Sequence, residues 1–238
     1  TIFMKNTKII LIRFKNIISP TDIEAFRGAV VNALKDKDIL FHNHNLQDKG
    51  FRYSYPLIQY KRINKKAAIF CLEEGTDSIG KFFFDSDLAL NLNGKIHQFE
   101  VESVKAYRHL IQIWNSNFRY TIRKWLALNQ ENYDLYDKLE SVAEKSAFLE
   151  NILKANILSF AKGLNIFFEK QVECKITWLG DPKITNYKNV KMNTFNAEFL
   201  TNVSIPDYAG LGKGVSVGYG VTVRKKEKEK EKEKENNK

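Results

Sequence analysis

The sequence predicts an α+β protein of two tandem ferredoxin-like (RRM-like) domains, each an antiparallel sheet with helices packed on one face. Three observations lead there. Residues 8–107 read as strand, helix, strand, strand, helix, strand, which is the order of the split βαβ plan. Residues 118–223 pass through the same kinds of element without repeating the letters. The composition, 43% hydrophobic and 13% aromatic over 238 residues, belongs to a globular chain able to bury a substantial core.

In the first half, KIILIRF (8–14) is apolar at nearly every position and reads as a strand buried on both faces. A helix start follows, with Ser19 as the cap, Pro20 in the first turn and Asp22 three residues after the cap. Ile23, Phe26, Val30 and Leu34 keep helical spacing behind it. A polar loop containing FHNHN leads to YSYPLIQYKRI (53–63) and KAAIFCLEE (66–74), two strands joined by a turn at Asn64-Lys65. GTDSIGKFFF predicts a short helix and KIHQFEVESVKAY (95–107) a further strand.

In the second half, FRYTIRKWLAL (118–128) alternates. It sets Arg119, Thr121 and Arg123 on one face and Phe118, Tyr120 and Ile122 on the other. That face could be a basic binding surface; an ordinary half-buried strand has the same pattern. Residues 130–164 carry Leu135, Leu139, Val142, Leu149, Leu153, Phe160 and Leu164 at helical steps. Ser146 sits where the stripe skips a step, leaving room for a break into two helices, and Gly163 suits a C-terminal cap. QVECKITWL (171–179), NYKNVKMNTF (186–195) and VSVGYGVTV (215–223) complete the set as strands. The halves meet near residues 108–116, which gives domains at 1–110 and 111–223. Residues 224–238 form a low-complexity Lys/Glu tail, read as disorder or a frayed, solvated helix.

No stretch approaches the roughly 18 unbroken apolar residues of a membrane span. The opening TIFMKNTKIILIRF has too short an apolar run, and no small-residue cleavage site, for a signal peptide. Cys71 and Cys174 lie far apart in strand-like surroundings, so buried free thiols are expected rather than a disulfide or a metal site. The expected location is the cytoplasm. Formal net charge is +10; the last fifteen residues hold eight basic and five acidic side chains, so about +7 stays on the body. That balance favours a polyanionic partner, nucleic acid above all.

Gly210, Gly212, Gly214, Gly218 and Gly220 put five of twelve glycines into eleven positions around Lys213. The spacing fits neither a Walker loop nor a dinucleotide fingerprint, since Lys213 precedes Gly214 and no helix follows. Two readings stand: a flexible hairpin, or a cradle whose backbone and lysine approach phosphate oxygens. His42 and His44 are one residue apart, so an extended loop points both rings the same way. Imidazole, with an unperturbed pKa of about 6.5, suits both removal and delivery of a proton near neutral pH. The same spacing also begins metal sites, which need further ligands, and occurs as plain surface polarity. His97 and His109 read as structural or solvent-facing. Arg52, Lys61, Arg62, Lys65 and Lys66 interleave with Phe51, Tyr53, Tyr55 and Tyr60, a mixture able to hold phosphates and stack on bases. Lys61, Arg62, Lys65 and Lys66 are expected exposed at the turn; Tyr55 and Leu57 are expected in the core.

Taken together, FHNH (41–44), YPLIQYK (55–61), EEG (73–75), WLALNQENY (125–133), ILKANILSFAKGL (152–164), YKNVKM (187–192) and IPDYAGLGKGVSVGYG (205–220) resemble the CRISPR RNA-processing endoribonucleases. Within them the chain is similar to the short subfamily with a histidine pair near the amino end. The resemblance runs in order over nearly the whole body and leaves out only the Lys/Glu tail. Gly218-Tyr219-Gly220 is its most specific element. It implies metal-independent cleavage of CRISPR repeat RNA with no cofactor, His42 and His44 as the catalytic pair, and retention of the product. Attack by the 2′-hydroxyl would leave a 2′,3′-cyclic phosphate and a 5′-hydroxyl. The expected RNA contacts are Arg52, Lys61, Arg62, Lys65, Lys213 and the five glycines. Two alternatives stay open: a non-cleaving RNA-binding subunit of a CRISPR effector complex, and a metal-dependent phosphodiesterase with the histidines as ligands. A homodimer is compatible with either.

Overall fold

The computed structural model describes residues 6–33, 55–85 and 87–225. Strand β1 (Asn6–Ile17) is the spine of the first sheet, and it is buried on both sides as its composition requires. Ile9 and Leu11 enter one apolar cluster, Ile12 and Phe14 the other. β1 pairs antiparallel with β3 (Lys66–Leu72) and β6 (Val101–Leu110); β2 (Ile58–Ile63) pairs with β3 at the edge. The order is β2-β3-β1-β6.

Between β1 and β2 the helix start forms as expected. Asp22 accepts from the Ser19 N–H at 3.1 Å, Ser19 Oγ accepts from the Thr21 N–H at 3.4 Å, and a 3-10 turn leads into α1 (Ile23–Ala33). The helix buries Ile23, Phe26, Ala29 and Val30 on the sheet, while Leu34 lies outside the described residues. Phe26 stacks on Phe99 and meets Phe14 and Tyr60 edge-on. Asn64 and Lys65 take positive φ values of 50° and 68°, the left-handed pair that a two-residue hairpin demands. After β3, α2 (Glu74–Asp85) adds Ile79 and Phe82 to the same cluster.

The strand expected over 95–107 is two strands. β5 (Lys95–Gln98) folds back onto β4 (Ala89–Leu92) through Asn93-Gly94, and only β6 joins the main sheet. The cause lies at Phe99 and Glu100. The Phe99 N–H bonds back to the Leu88 carbonyl, while the Glu100 carbonyl accepts from Lys15, so pairing changes partner there.

The second sheet contains β7 (Ile113–Trp125), β8 (Cys174–Leu179), β10 (Val190–Val203) and β11 (Val221–Arg224) in the order β11-β7-β10-β8, with β9 (Lys183–Tyr187) as a hairpin arm on β10. Both halves thus place their four main strands in the order fourth, first, third, second. The predicted two-domain ferredoxin-like fold is the fold observed.

The helical stretch does break, but at residues 138–141 rather than at Ser146. α3 (Gln130–Asp137) starts on the Asn129 side chain, and α4 (Val142–Gly163) starts at a reciprocal cap between Ser141 and Glu144. Ser146 lies within α4. Gly163 ends the helix, yet the left-handed residue is Asn165 at φ 57°. Gly163 is small for another reason: a Cβ there would lie 2.2 Å from Tyr55 Cβ. Lys188 and Asn189 have positive φ and turn β9 into β10, so the strand expected over 186–195 contains a hairpin turn. Residues 215–217 form a 3-10 turn, leaving β11 as the only strand in 215–223. The strand runs through Arg224 and Lys225 pairs with Glu198, so the first two residues assigned to the tail belong to the folded body.

One apolar cluster unites both halves. Ile9, Leu11, Phe70 and Leu72 of the first sheet join Tyr120, Ile122, Trp125 and Phe199 of the second, with Leu153 and Phe160 of α4. Cys71 and Cys174 are buried and free, and burial pushes the Cys174 thiol up to about 12. Among the described residues no helix is long and apolar enough to cross a membrane.

Candidate nucleic-acid interface

In the second half, residues 204–220 connect β10 to β11 where the first half uses a helix, and they hold all five glycines. The connection is anchored at each step. Tyr120 Oη donates to the Ile205 carbonyl and accepts from the Ile205 N–H at 2.8 Å. Thr222 bonds the Ala209 carbonyl with both its N–H and its hydroxyl. The Gly210 N–H donates to Gln59 Oε1 at 3.2 Å, and the Gly210 carbonyl accepts from Tyr55 Oη at 2.8 Å. Gln59 Nε2 donates in turn to Tyr55 Oη at 2.8 Å. Strand β2 is thereby tied to the glycine segment, and Tyr55 and Leu57, expected in the core, pack half-buried against it.

Close packing accounts for the glycines one by one. A Cβ on Gly210 would meet Val215 Cγ1 at 2.4 Å, and one on Gly220 would meet the Leu211 carbonyl oxygen at 1.9 Å. Gly220 also needs a φ of 63°. The segment is a fitted wedge rather than a loose hairpin. Its amides are largely turned inward: Gly210 to Gln59, Leu211 to Gly220, Lys213 to Leu126, Gly218 to Val215 and Gly220 to Lys124. Gly210 and Gly220 are buried, so their N–H groups are not the phosphate ligands the cradle reading expected. Gly212, Gly214 and Gly218 are half-buried, and the side chain of Lys213 is exposed between the first two. Gly220→Ala is expected to cost roughly 2–4 kcal/mol of stability, from left-handed strain plus the backbone clash. A thermal melt of the variant checks it.

The basic residues separate into different environments. Lys65 is exposed at the β2–β3 turn and Arg62 is half-buried, its Nε donating to the Ile18 carbonyl at 2.7 Å. Lys66 is held by Glu102 at 2.5 Å. Lys61, expected exposed, is 0% exposed. The reason is alternation: Lys61 shares a face with Gln59 and Ile63, and that face packs toward the second half. From the second half, Lys124 enters the same region as Arg62. Its pKa is lowered, first by partial burial and then by the Arg62 charge, and its carbonyl accepts from Gly220. Arg62, Lys124 and the glycine wedge therefore meet where the two halves join.

Arg119 and Arg123 are exposed on the outer face of β7, while Tyr120 and Ile122 are fully buried beneath, as the alternation predicted. His97 is exposed, and His109 shares a 2.9 Å hydrogen bond with Ser204. His42, His44 and Arg52 lie outside the described residues. Among the described residues no group of three or more His, Cys, Asp or Glu side chains gathers as a metal site would require. Sequence reasoning missed Gln59 and Tyr55 as the anchors of the glycine segment. The signal available was a Tyr and a Gln four residues apart, neither of them read as a hydrogen-bonding anchor.

Two tandem ferredoxin-like sheets with a glycine-rich connection before the last strand, and cations from both sheets converging on it, define a nucleic-acid-binding class of protein. Family comparison makes this specific. Residues 5–109 match the Cas6b N-terminal domain and residues 112–225 the Cas6b C-terminal domain. The chain belongs to the Cas6b family of CRISPR-associated endoribonucleases. It is similar to a crystal structure of Cas6b at a TM-score of 0.83 and 27% identity, covering 93% of this chain and 100% of that one. A second crystal structure, of the CRISPR RNA processing endoribonuclease Cas6b, superposes at a TM-score of 0.71 with 25% identity and the same coverage. An uncharacterized protein of Methanocaldococcus jannaschii is 34% identical over 127 residues, 53% of this chain and 85% of the relative.

Proposed function

We propose that the chain binds CRISPR repeat RNA and cuts it without a metal ion, with His42 and His44 moving the protons. One imidazole takes the proton of a ribose 2′-hydroxyl, and the oxygen attacks the adjacent phosphorus. The bond from phosphorus to the 5′-oxygen breaks, and the other imidazolium protonates that oxygen. The products are a 2′,3′-cyclic phosphate and a 5′-hydroxyl. Membership of the Cas6b family supports the reaction class. The observation that carries the RNA-binding part is the glycine wedge seated between the two halves: the Lys124 carbonyl of β7 accepts from the Gly220 N–H, and Gly218 packs beside the Tyr60 carbonyl of β2, the strand that carries Arg62. A backbone phosphate lying along the wedge meets cations from both halves.

Lys65 and Lys213, both exposed, extend the basic surface along the RNA backbone, with Arg52 as a further contact, and Gly212, Gly214 and Gly218 let the strand approach closely. The partner is CRISPR repeat RNA, retained after cleavage in the cytoplasm; delivery to an effector complex and self-association are compatible with that role. Lys213→Ala is expected to weaken RNA binding and to lower the slope of log K against log salt by about one. Filter binding over a salt series measures both. The test of the reaction is incubation with repeat RNA in EDTA. Cutting that persists there, and is abolished by a single 2′-deoxy substitution at the cut site, supports the proposal. Tight binding without any cut favours a non-cleaving subunit, and activity restored only by a divalent ion favours metal-dependent hydrolysis.

A further inference from the structure

The face of the first sheet that packs on the second half contains one polar cross-strand row. Lys61 on β2, Ala68 on β3, Arg13 on β1 and Ser103 on β6 stand in register. Strands lie about 4.8 Å apart, so Lys61 and Arg13 start roughly 10 Å apart at Cα with only the Ala68 methyl between them. Both long side chains are cationic donors with hydrogen bonds to spare. Lys61 Nζ and Arg13 Nε are buried, and neither has a hydrogen-bond partner among the described residues.

No neighbouring acceptor lies within hydrogen-bond distance of either atom among the described residues. On one side lie Phe70 and Leu11, with Lys61 Nζ 5.8 Å from the Phe70 ring centroid. On the other, Glu102 is shared between Lys66 Nζ and Arg13 Nη2, the latter at 3.6 Å. The side chains of Arg13 and Glu102 are 26% and 31% exposed, so the row opens to solvent at its Arg13 end and is closed at Lys61. A buried ammonium without a counter-charge is costly, and the row sets two unfilled donors on either side of a single methyl.

We propose that this row is an oxyanion subsite. A phosphate group entering from the Arg13 end is held by Lys61 Nζ on the inner side and Arg13 Nε on the outer, above the Ala68 methyl. Free, the site leaves Lys61 pushed down to about 7 by burial; an anion supplies the missing counter-charge and restores the ammonium. The group comes either from free phosphate or from a phosphodiester of bound RNA. The site takes no part in the cleavage chemistry proposed above.

The test uses the full chain. Melting temperature is measured against inorganic phosphate at constant ionic strength, with chloride as the control, for the unaltered protein, Lys61→Met and Arg13→Gln. A saturable rise is expected for the unaltered protein, with none in Lys61→Met and an apparent affinity at least about tenfold weaker in Arg13→Gln. A second arm measures affinity for uncut, 2′-deoxy-blocked repeat RNA. If free phosphate gives no rise but Lys61→Met binds this RNA about tenfold more weakly, with a salt slope lower by about one, the oxyanion is the phosphodiester. Equal phosphate response and equal RNA affinity in the unaltered protein and Lys61→Met overturn the proposal. Because no cleavage is read, failure of the nuclease reading leaves the phosphate arm intact.

Discussion

Replacing His42 or His44 with alanine is expected to slow cutting of repeat RNA by about 10²–10⁴-fold while leaving affinity for the uncut repeat close to that of the unaltered protein. The size follows from what a positioned imidazole contributes to one proton transfer. The two transfers serve one displacement, so the double variant should fall little below the slower single variant rather than to the product of the two losses. Single-turnover rates on labelled repeat RNA separate these cases, and a pH series adds a second reading. With base and acid both imidazole, the unaltered enzyme should show a bell around neutrality, and each single variant should lose one limb. Normal cutting by the double variant ends the catalytic assignment.

Lys61→Met is expected to stabilise the protein at neutral pH by a few kcal/mol. Burial lowers the Lys61 pKa from the usual 10.5 to about 7, and each unit of such a shift corresponds to about 1.4 kcal/mol. The sign runs against the native state. Between about 7 and 10.5 the unfolded chain binds the proton and the folded one does not, so stability rises with pH across that window. Below about 7 both states are protonated and the folded one carries the full penalty. Methionine keeps most of the volume and removes the charge, so the variant should gain most at and below pH 7 and lose this part of the pH dependence. Denaturant titrations from pH 6 to 10 measure it, and an unchanged or lower midpoint at pH 7 would show that the amine is compensated.

Much of the fold was legible because its signals are local. The Ser19-Pro20-Asp22 start, the Asn64-Lys65 turn and the alternation in residues 118–123 each rest on neighbours in sequence, and each formed as expected. The misreadings share another cause. The true helix start at Ser141-Val142-Ala143-Glu144 is a local signal, but the skipped step in the hydrophobic stripe drew the break to Ser146 instead. The strands proposed over 95–107 and 186–195 change partner partway, and partner choice is a property of the whole sheet. Lys61 is the clearest case. Near a turn, beside Arg62 and Lys65, it has the composition of a solvated hairpin, and only the packing of a second domain against that face buries it. Of the candidate site, sequence showed the charge and the glycines; it could not show that most of the glycine amides turn inward.

Tyr55, Gln59 and Gly210 lock the edge of one sheet to the connection that completes the other, and the largest apolar cluster runs through both halves without interruption. Two lobes welded in this way have no lubricated plane on which to swing. A partner that spans both halves then meets two sheets already fixed against each other, so the ordering cost of closing a hinge between them does not arise.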